Sequence, residues 1–589
     1  MSRSFPYEFS GFTLDADERV LLRDGARVAL PEKPFNVLRV LVERSGRLVG
    51  KEELMSLVWG NTAVEENNLD KSISRLRQTL GEGKGSDSCI ETVRGHGYRF
   101  VARVTQSGSD RSSTTSQNGQ VVQAVAVLPF RNLDLTDKDR YLGDGLAEEI
   151  LNSLSRSKFL RVAARTSAFS FADKDVTASQ IGKALGVSSL LEGSVRRSGG
   201  KFRVLARLVN AEDGLTIWSQ SYDRKIEDIF DVEDDIALGV FAALDIDLVT
   251  DERSNVLKRH TADPEAYIQY LKGQYYRWKT NGQEFAKGLR HFEEAVRLDP
   301  KFALGYFGIS TYYGYGAAWG MLGIEPATAW KLAEASAARA IELDPALPEL
   351  RLSLAAFSLV NYRKWAEAGE EMASIAEANP RFPEIHHLYS FYLLTLGRFD
   401  EAIDEARKAL DLDPLSMLFS HFLGLTLYIA GRDSEAIKQL LESAEIDPAD
   451  SSAHKVLSEI YLKNGQFNDA LNSMRSVAWL THDDEAVTYL KSIEPVPSDV
   501  LDAARWLGKR QLETLLELQK VQYVPKIFLA RLNLILGEVD VAMEQLEASL
   551  EEHNVFPLML NVDPFYEPLR SLSDFQKLIA ATGNPSWVS

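Results

Sequence analysis

The sequence predicts a multidomain protein: a small α+β domain, then a small α/β domain, then an all-α array of helical repeats. Three observations carry this prediction. The 589 residues exceed what a single core holds, and the texture changes near 106–120 and again near 250–255. Residues 121–250 alternate strand-like and helical runs, whereas 255–589 read as helical. Proline recurs at 300, 345, 380, 414 and 448, each closing a phrase such as AVRLDP, AIELDP or ALDLDP.

Residues 1–105 come first. Short strands separated by turns occupy 5–30, and PEKPFNVLRVLVERSG (31–46) places Phe35, Leu38, Leu41 and Val42 on one helical face, with Gly46 ending the helix. KEELMSLVWG (51–60) reads as a second helix, with Trp59 packing inside. In NNLDKSISRLRQTLG (67–81), a third helix, Leu69, Ile73, Leu76 and Leu80 form the buried stripe. That leaves Asn67, Asn68, Lys71, Ser72, Ser74, Arg75 and Gln78 on the remaining surface. Such a face suits the major groove of DNA, because Arg forks onto guanine and Asn onto adenine. CIETVRGHGYRFVA (89–102) then alternates as a hairpin around Gly95 and Gly97.

Charge supports this placement. The net charge of −19 argues against indiscriminate nucleic-acid binding, since phosphate contacts need Lys and Arg. Residues 1–105, however, hold sixteen Lys/Arg and fifteen Asp/Glu, so the remainder carries −20. Within 71–103 seven cations face three carboxylates. A small basic face sits on an acidic molecule.

Residues 106–120 (QSGSDRSSTTSQNGQ) contain no apolar residue and predict a flexible linker. Beyond it, VVQAVAVLPF (121–130) reads as a strand and GLAEEILNSLSR (145–156) as a helix. Strand-like runs follow at 188–198, 201–210 and 215–222, then a helix from about 228. LGDGL (142–146) reads as a structural turn, because Asp144 would repel an anion at its backbone N–H groups.

The proline intervals are 45, 35, 34 and 34, and a period near 34 residues signals tetratricopeptide repeats. A small residue recurs twelve positions before four of the prolines, as Ala333, Ala368, Ala402 and Ala436, where paired helices approach closely. The longer first interval accommodates a Gly/Tyr/Trp-rich piece around 311–324. LGEVDVAMEQLEASL (536–550) resembles a further second helix, whereas 485–522 fits the repeat poorly. His387 and His421 occupy matching positions, with Phe391, Leu394, Leu425 and Tyr428 farther along the same helices. These six are expected either to line a groove for a protein or peptide partner, or to pack between repeats.

Other chemistry is expected to be absent. Cys89 is the single cysteine, which excludes an intrachain disulfide and a Cys-based zinc site and fits a reducing compartment. No stretch approaches about 20 apolar residues, so no membrane contact and a cytoplasmic location are expected. GEGKGS (81–86) lacks the G-K-[ST] ending of a phosphate loop, and no H-E-x-x-H occurs. His386 and His387, adjacent and thus about 100° apart on a helix, are poorly placed to share a metal. No enzymatic activity, cofactor or metal is predicted.

Two family resemblances sharpen the reading. EENNLDKSISRLRQTLG followed by IETVRGHGYRF resembles, in order and spacing, the effector domain of OmpR/PhoB-type regulators of the ToxR/CadC-like branch. That resemblance implies a winged helix-turn-helix in which the third helix enters the major groove and the wing reaches the minor groove. It assigns DNA contacts to Asn67, Asn68, Lys71, Ser72, Ser74, Arg75 and Arg77 on the helix, and to Thr92, Arg94 and Tyr98 in the wing. It also implies that the loop Gly60 to Glu66 touches RNA polymerase, and that copies assemble on tandem half-sites. The family often has Arg where Asn67 and Ser74 stand here. AVAVLPFRNL, YLGDGLAEEI, LEGSVRRSGGKFRVLARLVNAEDG and IWSQSYDR resemble the TolB amino-terminal-like domain, which implies a fold and no established chemistry. The expected function is that of a one-component transcriptional regulator binding double-stranded promoter DNA, with signals entering through the rest of the chain. The alternative is a non-enzymatic scaffold with a repurposed winged helix.

Overall fold

The computed structural model describes residues 7–587 except 10–11, 16–19, 24–25, 29, 44–47, 60–66, 81–88, 94–96, 103–104, 107–122, 134–140, 173, 199–200, 278–281, 320–321, 323, 346 and 553–554. It separates into two compact units, 1–121 and 122–589.

In the first unit, four short strands, β1 (Tyr7–Phe9), β2 (Phe12–Asp15), β3 (Val20–Arg23) and β4 (Ala26–Val28), form an antiparallel meander. Helix α1 (Glu32–Glu43), strand β5 (Leu48–Gly50), and helices α2 (Lys51–Trp59) and α3 (Asn67–Leu80) follow. The hairpin β6 (Ile90–Val93) and β7 (Gly97–Phe100) pairs with β5, and β8 (Thr105–Gln106) returns to β1. Gln106, expected at the start of the linker, pairs instead with Tyr7; residues 107–122 lie outside the described residues. The helical periodicities hold: Phe35, Leu38, Leu41, Val42, Leu69, Ile73, Leu76 and Leu80 share one core with Phe9 and Phe100. The Trp59 side chain lies outside the described residues.

The second unit begins with a six-stranded mixed sheet. Its elements in chain order are β9 (Gln123–Val127), β10 (Arg131–Asn132), α4 (Tyr141–Ser155), β11 (Leu160–Val162), α5 (Arg165–Phe169), α6 (Ala178–Leu185), β12 (Ser189–Ser198), β13 (Lys201–Asn210), β14 (Thr216–Lys225) and α7 (Ile229–Ala243). The main strand order is β11-β9-β12-β13-β14, with β10 beside β12. LGDGL is not a turn but the first turn of α4. A Cβ on Gly143 would stand 2.2 Å from the Phe130 carbonyl oxygen, so glycine is what lets the helix start this close to the strand.

Beyond α8 (Thr250–Val256), helices run in antiparallel pairs. They are α9 (Pro264–Arg277) with α10 (Gly282–Leu298), α11 (Ala303–Trp319) with α12 (Pro326–Leu343), α13 (Pro348–Tyr362) with α14 (Trp365–Ala378), α15 (Pro383–Thr395) with α16 (Phe399–Leu412), α17 (Met417–Ile429) with α18 (Asp433–Ile446), and α19 (Ser452–Lys463) with α20 (Phe467–Leu480). Ala333, Ala368, Ala402 and Ala436 are all buried on second helices, as their spacing predicts. The turn inside four of these pairs uses the left-handed region at 34-residue intervals, at Arg363, Gly397, Gly431 and Gly465. The poorly fitting stretch becomes α21 (Asp484–Lys491) and the long α22 (Pro497–Gln519), after which α23 (Lys526–Leu536) and α24 (Val539–Glu551) restore the pairing; α25 (Ser573–Ala581) closes the chain.

The boundary expected near 250–255 is not a gap between cores. Val125, Ile150 and Leu191 of the sheet region belong to one apolar cluster with Tyr270, Phe292 and Tyr312 of the first repeats. At a second contact the Ser167 backbone N–H donates to Asp413 Oδ1 at 3.0 Å, the Ser167 hydroxyl donates to the same oxygen, and the Leu415 N–H donates to Ser167 Oγ at 2.8 Å. Both Ser167 and Asp413 are buried.

Candidate nucleic-acid interface

Helix α3 forms because its apolar residues recur at helical spacing, and at 3.6 residues per turn the polar set opposite them is equally well defined. With Lys71 as origin, Asn68, Ser74, Arg75 and Gln78 fall within about 60° on either side at 100° per residue. All five side chains are exposed. Arg75 Nη1 donates to Gln78 Oε1 at 3.5 Å, so the guanidinium lies along the stripe. Asn67 falls on the same arc; its backbone is helical and its side chain lies outside the described residues.

Four other expected contacts sit elsewhere. Ser72 is buried, and its hydroxyl donates to the Asn68 carbonyl at 2.8 Å. Arg77 turns away from the stripe and donates to the Ile90 carbonyl and to Thr92 Oγ1, both at 2.7 Å. Tyr98 is 4% exposed, and its hydroxyl donates to Asp70 Oδ1 at 2.6 Å. In the structure, then, Ser72 and Tyr98 belong to the interior, and Arg77 and Thr92 tie α3 to the hairpin. Position on an amphipathic helix does not reveal whether a long side chain reaches back to a neighbouring strand. Arg94 and the loop 60–66 lie outside the described residues.

The brace leaves a recess of about 430 Å³ between α3 and the hairpin, lined by Asp70, Ile73, Ser74, Arg77, Gln78 and Tyr98. Its hairpin wall depends on Gly97. A Cβ there would stand 2.1 Å from the Val49 carbonyl oxygen of the paired strand β5.

The six repeat residues expected either to line a groove or to pack between repeats are none of them fully exposed. Leu394 and Tyr428 are buried, whereas His387, Phe391, His421 and Leu425 are half-buried. The His387 ring packs edge-on to Phe422 at 4.4 Å, a contact between successive repeats. Burial pushes the His387 imidazole down to about 4 and lowers that of His421, so both are neutral near pH 7. The chain also covers these helices itself: the turn Phe556–Met559 packs against α15, and Leu558, Met559 and Val562 join the apolar cluster of Leu394 and Tyr428. Farther along, Arg531 bridges Glu459 on α19 at 2.9 Å and Asp563 at 2.7 Å, with its guanidinium 3.9 Å from the Phe565 ring.

Among the described residues no group of three or more His, Cys, Asp or Glu could hold a metal, and no helix is long and apolar enough to cross a membrane.

Comparison with known proteins supports this division. Residues 25–100 match the family described as transcriptional regulatory protein, C terminal, and residues 392–454 match the tetratricopeptide repeat. The chain is 32% identical over 187 residues to a putative adenylate cyclase 3 of Rhizobium meliloti (strain 1021), covering 32% of each protein. It is 33% identical over 150 residues to the transcriptional regulator HilA of Salmonella typhi, covering 26% of this chain and 25% of HilA. It is 35% identical over 97 residues to the phosphate regulon transcriptional regulatory protein PhoB of Klebsiella pneumoniae, covering 16% and 42%. Each match thus spans well under two thirds of the relative. Among solved structures, the DNA-binding domain of Klebsiella pneumoniae RstA in complex with the RstA box is 30% identical, with 16% of this chain and 96% of that chain covered and a TM-score of 0.15.

Proposed function

Residues 25–100 being an OmpR/PhoB-type DNA-binding domain and residues 392–454 tetratricopeptide repeats, we propose that the protein is a sequence-specific transcriptional regulator acting in the cytoplasm, without enzymatic activity of its own. The observation that carries this reading is the exposed stripe Asn68, Lys71, Ser74, Arg75 and Gln78 on a helix whose Asp70, Ser72 and Arg77 side chains are committed within the domain. In this reading α3 lies in the major groove of promoter DNA, with Arg75 and Asn68 at base edges and Lys71 at phosphate. Asn67 joins the stripe, Arg94 reaches the minor groove, and the loop 60–66 meets RNA polymerase. Tyr98, Arg77 and Thr92 hold the hairpin at the right distance from the helix. The repeats, together with the α/β region that resembles the TolB amino-terminal-like domain, take in a protein, peptide or small-molecule signal and support self-association.

Selection of random duplexes on the full chain tests the reading. An enriched motif, with binding that weakens steeply between about 50 and 200 mM salt, is the expected result. Recovery of no motif, with weak and salt-insensitive binding, would favour the scaffold alternative.

A further inference from the structure

Helix α22 has 23 residues and its neighbour α23 has 11. At 1.5 Å per residue these span about 34 Å and about 16 Å, so α23 cannot cover α22 along its length. The buried residues of α22 are Val500, Ala503 and Gly508, which leaves 509–519 without one. That stretch nevertheless carries Leu512, Leu515, Leu516 and Leu518, with Leu516 42% exposed, and Val521 just beyond it is 83% exposed. A helical stretch this short is marginal in water alone and draws its stability from burying an apolar face.

The uncovered side is one continuous face. With Leu516 as origin, Leu501 and Leu512 fall within about 60° on either side at 100° per residue, and so do Asp502, Arg505, Lys509, Glu513 and Lys520. All are exposed except the half-buried Leu512. Val500 and Ala503 point the other way, into an apolar cluster with Leu471 and Met474 of α20 and Leu490 of α21.

The order of charges along this helix indicates what covers the face. Counted outward from Gln511, opposite signs stand at equal distances: Lys509 and Glu513, Arg505 and Glu517, Asp502 and Lys520. Arg510, the remaining charged residue between 502 and 520, is held by Asp483 and Glu485. In an antiparallel pair with a two-fold axis at Gln511, each residue faces its mirror position on the second copy, so every one of these pairs becomes an attraction made twice. Leu512, beside the axis, then meets Leu512 of the second copy. Within the chain, Asp502 already bridges Arg505 and Lys520 bridges Glu517, whereas Lys509 and Glu513 make no ion pair among the described residues. A strongly charged partner fits less well, because α22 and its cap Lys520 carry four acidic and four basic residues on a chain of net charge −19.

We propose that the exposed face of α22 pairs antiparallel with the same face of a second copy of this chain, with Lys509 of each against Glu513 of the other and the leucines between them. The inference rests on the self-association proposed above and gives it a surface and a symmetry. One helix from each copy makes a small interface, so the dimer is weak and forms with rising concentration.

The test uses the full chain in sedimentation velocity from about 1 to about 100 μM, the range in which a small interface assembles. Wild type is expected to pass from monomer to dimer. Lys509→Glu sets two carboxylates against each other across the axis and Glu513→Lys sets two cations there, so each variant alone is expected to stay monomeric. Both side chains are exposed, and melting temperatures are expected to match wild type. An equimolar mixture of the two variants restores opposite charges across the axis and is expected to form a heterodimer, as the double variant Lys509→Glu/Glu513→Lys is expected to form a homodimer. Single variants that dimerise like wild type overturn this surface and leave self-association to another. A mixture and a double variant that stay monomeric overturn the two-fold pairing, and a wild-type mass beyond the dimer overturns its closure. Wild type that is monomeric throughout overturns both this inference and the self-association, while the DNA-binding reading stands.

Discussion

The Tyr98 hydroxyl, on the hairpin of the amino-terminal domain, donates a 2.6 Å hydrogen bond to Asp70 in the first turn of α3. Thirteen to fifteen residues apart in sequence, Arg77 makes the matching link from the end of the same helix, to Ile90 and Thr92. Helix α3 is thus pinned to the hairpin at both ends. Tyr98→Phe keeps the ring and removes the bond to a carboxylate, which is expected to cost the domain about 1.5–3 kcal/mol in denaturant unfolding. A loss below about 0.5 kcal/mol would mean that the bond does not hold the helix.

The seam between the sheet and the repeats makes a separate expectation. Asp413→Ala leaves the buried Ser167 N–H and hydroxyl without their acceptor, and an unsatisfied buried donor costs about 1–3 kcal/mol. Hydrogen exchange at the Ser167 amide is expected to accelerate in the variant. Unchanged protection would show that the seam is held by apolar contact alone.

Glu149 gives a pH dependence. It is buried between α4 and α9, beside Glu148, Arg156, Asn152 and Tyr270, and burial first, then the Glu148 charge, raise its carboxyl from 4.5 to about 7. A carboxyl with a raised folded pKa binds more protons folded than unfolded, so its contribution is complete below about pH 4.5 and is lost as pH rises to about 7. His260 and His387, both pushed down to about 4 with burial the leading cause, act oppositely and lose stability as pH falls from 6.5. Glu149→Gln leaves the histidines in place. Relative to wild type its unfolding free energy is expected to gain up to about 1.4 kcal/mol per pH unit between pH 5 and 7. Parallel wild-type and variant profiles would refute the assignment.

Gly431 ends α17 at φ 75°, with nothing within 4 Å of where a Cβ would stand. Strain without a clash is therefore the whole cost of Gly431→Ala, expected at about 1–2 kcal/mol in thermal unfolding. Arg363 holds the equivalent place at φ 51°, so the repeat bears one such residue already. A neutral Gly431→Ala would show that the turn relaxes.

Much of this architecture was legible where the physical signal is periodic. The buried stripe of α3, the strands β12 to β14 and the small residues of the repeats all follow from spacing alone. Strand β11 and helix α5, of three and five residues, are too short to show a period. Helix α6, of eight residues, is likewise short, although Thr177 and Gln180 form a capping box at its start. In the candidate site, the exposed stripe was recoverable from helical geometry, whereas the roles of Arg77 and Tyr98 depend on where β6 and β7 lie against α3. The covered face of the repeats was illegible for a similar reason. Trp365 Nε1 donates to the Thr582 carbonyl 217 residues away, and no local pattern encodes a contact of that separation.

The central claim, that α3 reads DNA through its exposed stripe and not through the side chains that brace it, is tested most directly by comparing Arg75→Ala and wild type for binding to the selected duplex and to scrambled duplex. Arg75→Ala is expected to bind the selected duplex about 1–3 kcal/mol more weakly, with unfolding free energy changed by less than about 0.5 kcal/mol and scrambled-duplex affinity nearly unchanged. Full retention of specific binding by Arg75→Ala and by Lys71→Ala would contradict the account.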